Sequence, residues 1–179
     1  MKRIQLLALG ENDHRQISEL GKSLAAELGR DCEVLHPELD LASAFNMTRG
    51  QYSSSELLAG MANRVTPETW RLLGITSVDL YIPILTFVFG EAQLQGTCAI
   101  VSTHRLRQEF YGLPFDEKLL SQRLLKEAVH ELGHTLGLTH CDDVRCVMAA
   151  SHAVEWIDLK GHHFCSHCAV AAAECAVVL

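Results

Sequence analysis

The sequence lacks any apolar run near the ~20 residues that cross a bilayer, so no membrane-spanning helix is expected. It also lacks a basic surplus: 15 Lys and Arg stand against 22 Asp and Glu, a formal charge of −7. Nucleic acid and anionic membrane surfaces both attract basic faces, so neither is an expected partner. No internal repeat, low-complexity tract or linker interrupts the 179 residues. Hydrophobic residues at 48% and charged residues at 21% exclude a disordered chain, and one domain over residues 1–179 is expected. What the chain has in excess is soft metal ligands, 10 His and 7 Cys.

The opening MKRIQLLALG has the basic start of a signal peptide, but its apolar part stops at Glu11–Asn12–Asp13 without a small-residue cleavage site. A buried strand over residues 3–9 and a cytoplasmic chain are the expectation. Ile17, Leu20, Leu24 and Leu28 recur at helical spacing within 12–29, with Asn12 or Asp13 as cap and Gly29 as stop. Cys32 to His36 reads as a second strand ended by Pro37. Residues 40–52 read as a loop, Ser53 to Asn63 as a helix, and Thr66–Pro67 as the opening of another helix through Leu72. Val78–Ile82 is the candidate third strand, and Thr97–Ser102 a further short one. A long helix starts near Asp116 or Glu117, its core face formed by Leu125, Ala128, Val129, Leu132 and Leu136. An alanine-rich helix runs from about Cys165 to the end. The alternation predicts an α/β or mixed α+β fold.

The most informative stretch is HELGHTLGLTH, His130 to His140. Histidines four apart on a helix share one face, so His130 and His134 suit a single zinc ion at ~2.0–2.1 Å. Glu131 is placed to accept a proton from water at the open position of that ion. Continued on the helix, His140 would lie ~9 Å beyond His134 along the axis. Gly137 can take a left-handed conformation, end the helix and bring His140 back as third ligand. Three protein ligands plus an open position is the arrangement of a hydrolytic zinc site.

Cys141, Cys146, Cys165 and Cys168 form a C-x4-C-x18-C-x2-C array. Four thiolates around one tetrahedral Zn²⁺ make a closed structural site, which would tie the segment after the long helix to the last helix. A pair of disulfides, or a redox C-x-x-C at Cys165 and Cys168, are the rival readings. Cys32, Cys98 and Cys175 read as core residues. His152, His162, His163 and His167 read as exposed loop histidines, Asp158 and Lys160 as surface charges, and Tyr111 as an aromatic packing residue.

HExxHxxGxxHC, then x4-C-x-M and a later C-x-x-C, resembles the archaemetzincins of the metzincin clan of zinc peptidases. The segments DLYIP, FVFGEA and Arg49–Tyr52 also look like family features. The resemblance implies a zincin-like fold. That fold is a twisted mixed sheet with an antiparallel edge strand, a long active-site helix and a small C-terminal helical subdomain stapled by zinc. The lobes would be 1–137 and 138–179. It implies two zinc ions per chain, one on His130, His134 and His140 and one on Cys141, Cys146, Cys165 and Cys168. Glu131 would be the general base, Gly137 the turn, and Met148 an apolar floor under the metal. The strand near 97–103 would be the edge on which an extended peptide is laid. Sixteen residues separate Met148 from Cys165, one fewer than the family pattern. The expected activity is zinc-dependent hydrolysis of a peptide or protein substrate. The competing expectation is a zinc-binding protein that recognises a peptide or partner with little turnover.

Overall fold

A computed structural model describes residues 2–36 and 40–178. Strand β1 (Arg3–Leu9) leads into helix α1 (His14–Leu28) and strand β2 (Cys32–Leu35). The Asp13 side chain accepts the Arg15 and Gln16 N–H groups to start α1, and Gly29 ends it at φ 62°. Then come β3 (Phe45–Asn46), β4 (Gln51–Ser53), α2 (Ser54–Ala62), β5 (Thr69–Thr76), β6 (Leu80–Tyr81), β7 (Gly90–Ala92) and β8 (Cys98–Ser102). The chain ends with α3 (Glu117–Thr135), α4 (Val154–Leu159) and α5 (Ser166–Val178).

Two sheets form. The larger has the order β2-β1-β5-β8-β7, parallel except for the antiparallel β7–β8 pair at one edge. The smaller has the order β3-β4-β6. Because side chains alternate along a strand, the large sheet presents two apolar faces. Ile4, Leu6, Leu73, Ile75, Ala99 and Val101 pack with Leu20 and Leu24 of α1 and Leu124, Ala128 and Leu132 of α3. Leu7, Leu9, Leu72 and Ile100 pack on the other side with Leu57, Leu58 and Met61 of α2. Helices therefore cover both faces of a mixed sheet, the expected α/β class. Among the described residues no helix is long and apolar enough to cross a membrane.

Several expected elements differ. Thr66–Leu72 is not a helix: Thr69–Thr76 is a central strand, buried at every position. A strand buried on both faces shows an apolar run without alternation, so its period is silent. The expected third strand at 78–82 is the short β6, and it belongs to the smaller sheet. The 97–103 segment is not an edge: β8 lies between β5 and β7, and the antiparallel edge strand is Gly90–Ala92. The stretch 40–52 contains β3 and part of β4, and α4 was not expected. Pro37, expected to end the second strand, lies outside the described residues.

Candidate metal centre and cleft

Asp116 caps α3 by accepting the Leu119 N–H at 2.8 Å, and the last turns of that helix carry His130, Glu131 and His134. Burial of the Ala128, Val129 and Leu132 stripe against the sheet fixes the rotation of α3, which turns both histidines into a cleft. Nδ1–H of His130 donates to the Val147 carbonyl at 2.8 Å, and Nδ1–H of His134 to the Leu138 carbonyl at 2.7 Å. Those bonds place the protons on Nδ1, so both Nε2 atoms carry lone pairs. The two Nε2 atoms are 3.1 Å apart. Two acceptors at that distance repel unless a cation sits between them. The His140 ring completes the set, its centroid 5.3 Å from that of His130 and 5.1 Å from that of His134.

His140 reaches this position because the helix stops. Gly137 takes φ 87° and donates its N–H to the His134 carbonyl at 2.9 Å, while Leu138 N–H reaches Gly133 at 3.1 Å. A Cβ at Gly137 would lie 2.9 Å from Cγ of Gln95, so the turn requires glycine for space as well as for φ. Gln95 N–H also bonds the His134 carbonyl at 3.1 Å, docking the loop after β7 on the helix end. Sequence reasoning missed Gln95, which carries no local signal.

Glu131 is buried, with its carboxyl against the edge strand. A Cβ at Gly90 would lie 2.8 Å from Glu131 Oε1 and 2.6 Å from the Ile100 carbonyl, so only glycine lets the strand and this carboxyl meet. Burial pushes the Glu131 carboxyl well above the ordinary carboxylate range; nearby Glu127 adds to this and Lys160 opposes it. Burial likewise lowers His130, His134 and His140, favouring the neutral imidazoles that bind metals. The cleft holds about 650 Å³ between the histidines and the 85–92 segment. Arg49 donates to the Leu85 carbonyl at 2.6 Å and Gln51 to the Thr86 carbonyl at 3.0 Å, so the Arg49–Tyr52 stretch braces the outer wall. Gln51 is held in turn by Asp79 at 3.0 Å, and Asp79 by a fork from Arg105 with both contacts at 2.7 Å.

The sulfurs of Cys141, Cys146, Cys165 and Cys168 lie within 4.8 Å of one another, and none is in a disulfide. Cys141 Sγ and Cys165 Sγ are 3.8 Å apart. Four Zn–S bonds of ~2.3 Å in a tetrahedron give S···S separations of about 3.8 Å, so the set fits a closed zinc site. The Cys165 N–H donates to Cys146 Sγ at 3.3 Å, and a hydrogen bond from the Cys168 backbone pulls the Cys165 thiol down to about 7. By contrast, burial alone pushes Cys98 up to about 11, the state of an inert core thiol. The Cys141 N–H bonds the Met148 carbonyl at 3.0 Å, which joins the two clusters through one backbone contact. Met148 is fully buried, and its sulfur occupies the space that a side chain at Gly133 would fill.

One surface assignment needs correction. Lys160 is buried and pairs with Glu127 Oε1 at 2.9 Å; it also donates to the Ala149 carbonyl at 3.2 Å. Its Nζ lies 3.5 Å from His130 Nδ1, whose proton is already given to Val147. Asp158 is exposed, as expected, and holds the buried Arg123 through contacts of 2.6 and 2.7 Å. Both pairings span more than 30 residues of sequence and leave no local pattern. Tyr111 is half-exposed and donates to the Arg105 carbonyl. His152 lines the cleft, whereas His162 and His163 lie beside Glu27 instead.

Comparison with known proteins places this geometry in company. The model of peptidase family M54 matches residues 36–173. The archaemetzincin of Methanocaldococcus jannaschii is 42% identical over 167 residues, covering 93% of this chain and 90% of that protein. The crystal structure of archaemetzincin from Methanopyrus kandleri superposes with a TM-score of 0.85 at 34% identity, covering 97% of this chain and 94% of the other. A zinc-dependent peptidase from Methanocorpusculum labreanum gives a TM-score of 0.85 at 30% identity, with 94% and 99% covered.

Proposed function

The chain belongs to peptidase family M54, the archaemetzincins, and we propose that it hydrolyses peptide bonds at a zinc ion held by His130, His134 and His140. The observation that carries this reading is the pair of facing Nε2 lone pairs 3.1 Å apart, with a third imidazole beside them. When bound, zinc supplies Lewis-acid chemistry, polarising a carbonyl oxygen and raising the acidity of water on its open side. Glu131 takes the proton of the attacking water on its carboxylate and returns it to the departing amine. Gly90 lets that carboxyl lie against β7. The free edge of β7 offers backbone groups to an extended peptide, so the substrate adds as a strand beside Gly90–Ala92. Gly137 turns His140 into place and Met148 fills the space under Gly133.

Cys141, Cys146, Cys165 and Cys168 hold a second zinc with a structural task. A reducing cytoplasm keeps those thiols available as ligands. Residues 1–179 act as one domain on this reading. The test is incubation of the zinc-loaded protein with a mixed peptide library, with and without chelator. Cleavage that chelator abolishes and zinc restores is expected. Absence of cleavage by the loaded chain would favour peptide recognition without turnover instead.

A further inference from the structure

We infer that Glu27, His162 and His163 form a third metal site, for a borderline divalent cation such as Zn²⁺, apart from the two clusters described above. Glu27 sits in the last turn of α1, and the histidines lie between α4 and Cys165. His163 Nδ1 is 2.8 Å from the Glu27 carboxylate, and His162 Nε2 is 3.9 Å from it. Residues 162 and 163 lie in a bend between α4 and α5. Here both rings turn the same way, with centroids 3.8 Å apart, and bring a nitrogen each to one carboxylate. The three donor atoms lie within 4.8 Å of one another.

Two imidazoles and a carboxylate form a set that suits zinc, cobalt, nickel or copper, and not the all-oxygen preference of calcium or magnesium. Tetrahedral bonds of ~2.0–2.1 Å require donors about 3.3 Å apart, so the rings must close in slightly. They have room to do so: the Glu27 side chain is 13% exposed, whereas those of His162 and His163 are 43% and 67% exposed. The remaining coordination positions face water. The ion would link α1 to the segment that carries Lys160 and Cys165. That segment is already tied inward, since the His163 carbonyl accepts the Val147 N–H at 3.0 Å and the Gly161 N–H reaches the Arg145 carbonyl at 2.8 Å. The bound cation therefore stabilises the native packing of residues more than 130 apart in sequence.

Titration with Zn²⁺ against a chromogenic competitor tests this on the full chain, comparing wild type with Glu27→Gln and with His162→Gln/His163→Gln. Wild type is expected to take up one equivalent more than the double variant, whatever the other two clusters hold. Glu27→Gln should weaken that equivalent tenfold or more. With the other two clusters already loaded with Zn²⁺, a further rise in Tm of roughly 5 °C at about a hundredfold excess of Zn²⁺ over the Kd of this site should appear in wild type only. Equal uptake by wild type and the double variant overturns the site. So does an extra equivalent that Glu27→Gln leaves at full affinity, which would be adventitious binding to surface imidazoles.

Discussion

The histidine cluster and the cysteine cluster share one peptide bond, His140–Cys141, and are built on opposite plans. Two of the three imidazoles, His130 and His134, are oriented by backbone carbonyls that accept from Nδ1, which leaves their Nε2 atoms facing a cleft of about 650 Å³. The sulfurs are oriented by backbone N–H donors and close on one another at 3.8 Å. On the proposed reading, the carbonyl-backed set keeps one side free for a substrate. The N–H-backed set would supply all four ligands of a closed zinc site, whose task would be to hold the chain together. The helix C-terminus at Gly137 is where one plan gives way to the other. One backbone hydrogen bond, Cys141 N–H to the Met148 carbonyl, ties the cysteine segment to the residue packed under Gly133 of the histidine helix.

The sharpest division between the clusters comes from Glu131→Gln. Hydrolysis should fall by roughly 10²–10⁴ while metal content and Tm stay close to wild type. Steady-state rates with metal analysis check this, and full activity would remove Glu131 from the chemistry. Cys165→Ser should do the reverse at the other cluster, lowering bound zinc by one equivalent and destabilising the fold by several kcal/mol. Native mass spectrometry and thermal unfolding read both effects, and unchanged metal content would contradict the closed site.

Lys160→Met probes the support behind His130. It strands the buried Glu127 carboxylate and should cost about 3–5 kcal/mol, with Lys160→Met/Glu127→Leu recovering much of the loss. Gly133→Ala should cost about 1–3 kcal/mol through the clash with Met148, measured by denaturant unfolding. The smallest effect concerns acid. Burial raises the Asp79 carboxyl, but hydrogen bonds and charge from Arg105 outweigh it, so its folded value lies below the ordinary one. Its contribution to stability is therefore present above about pH 4 and lost as pH falls through the lower folded value. The cleft wall braced through Gln51 should loosen first in acid, and Asp79→Asn should flatten that limb of the stability curve.

What was legible in the chain follows from periodicity. Histidines four apart in a helical stripe, with a glycine three residues on, announce where side chains will point, because helix geometry is local. The spacing of Cys141, Cys146, Cys165 and Cys168 suggests one metal site but leaves disulfides and a redox pair open, and the structure brings the four sulfurs together. The strand Thr69–Thr76 was illegible because both of its faces are buried, and Arg71 inside it is satisfied by Thr135, 64 residues away. Lys160 read as a surface lysine for the same reason, its partner Glu127 lying on another element. The position of 97–103 in the sheet is illegible because short strands give no hint of their order. The antiparallel edge strand is Gly90–Ala92, in the FVFGEA segment, where Gly90 lets the Glu131 carboxyl lie against the sheet.

The central claim is that His130, His134 and His140 converge on one ion with a side left open. Anomalous scattering at the zinc edge from crystals of the purified protein tests it most directly. The account predicts a peak at ~2.0–2.1 Å from all three Nε2 atoms, with no protein atom in the remaining position. A map without that peak, or with a side chain filling the open position, would contradict it.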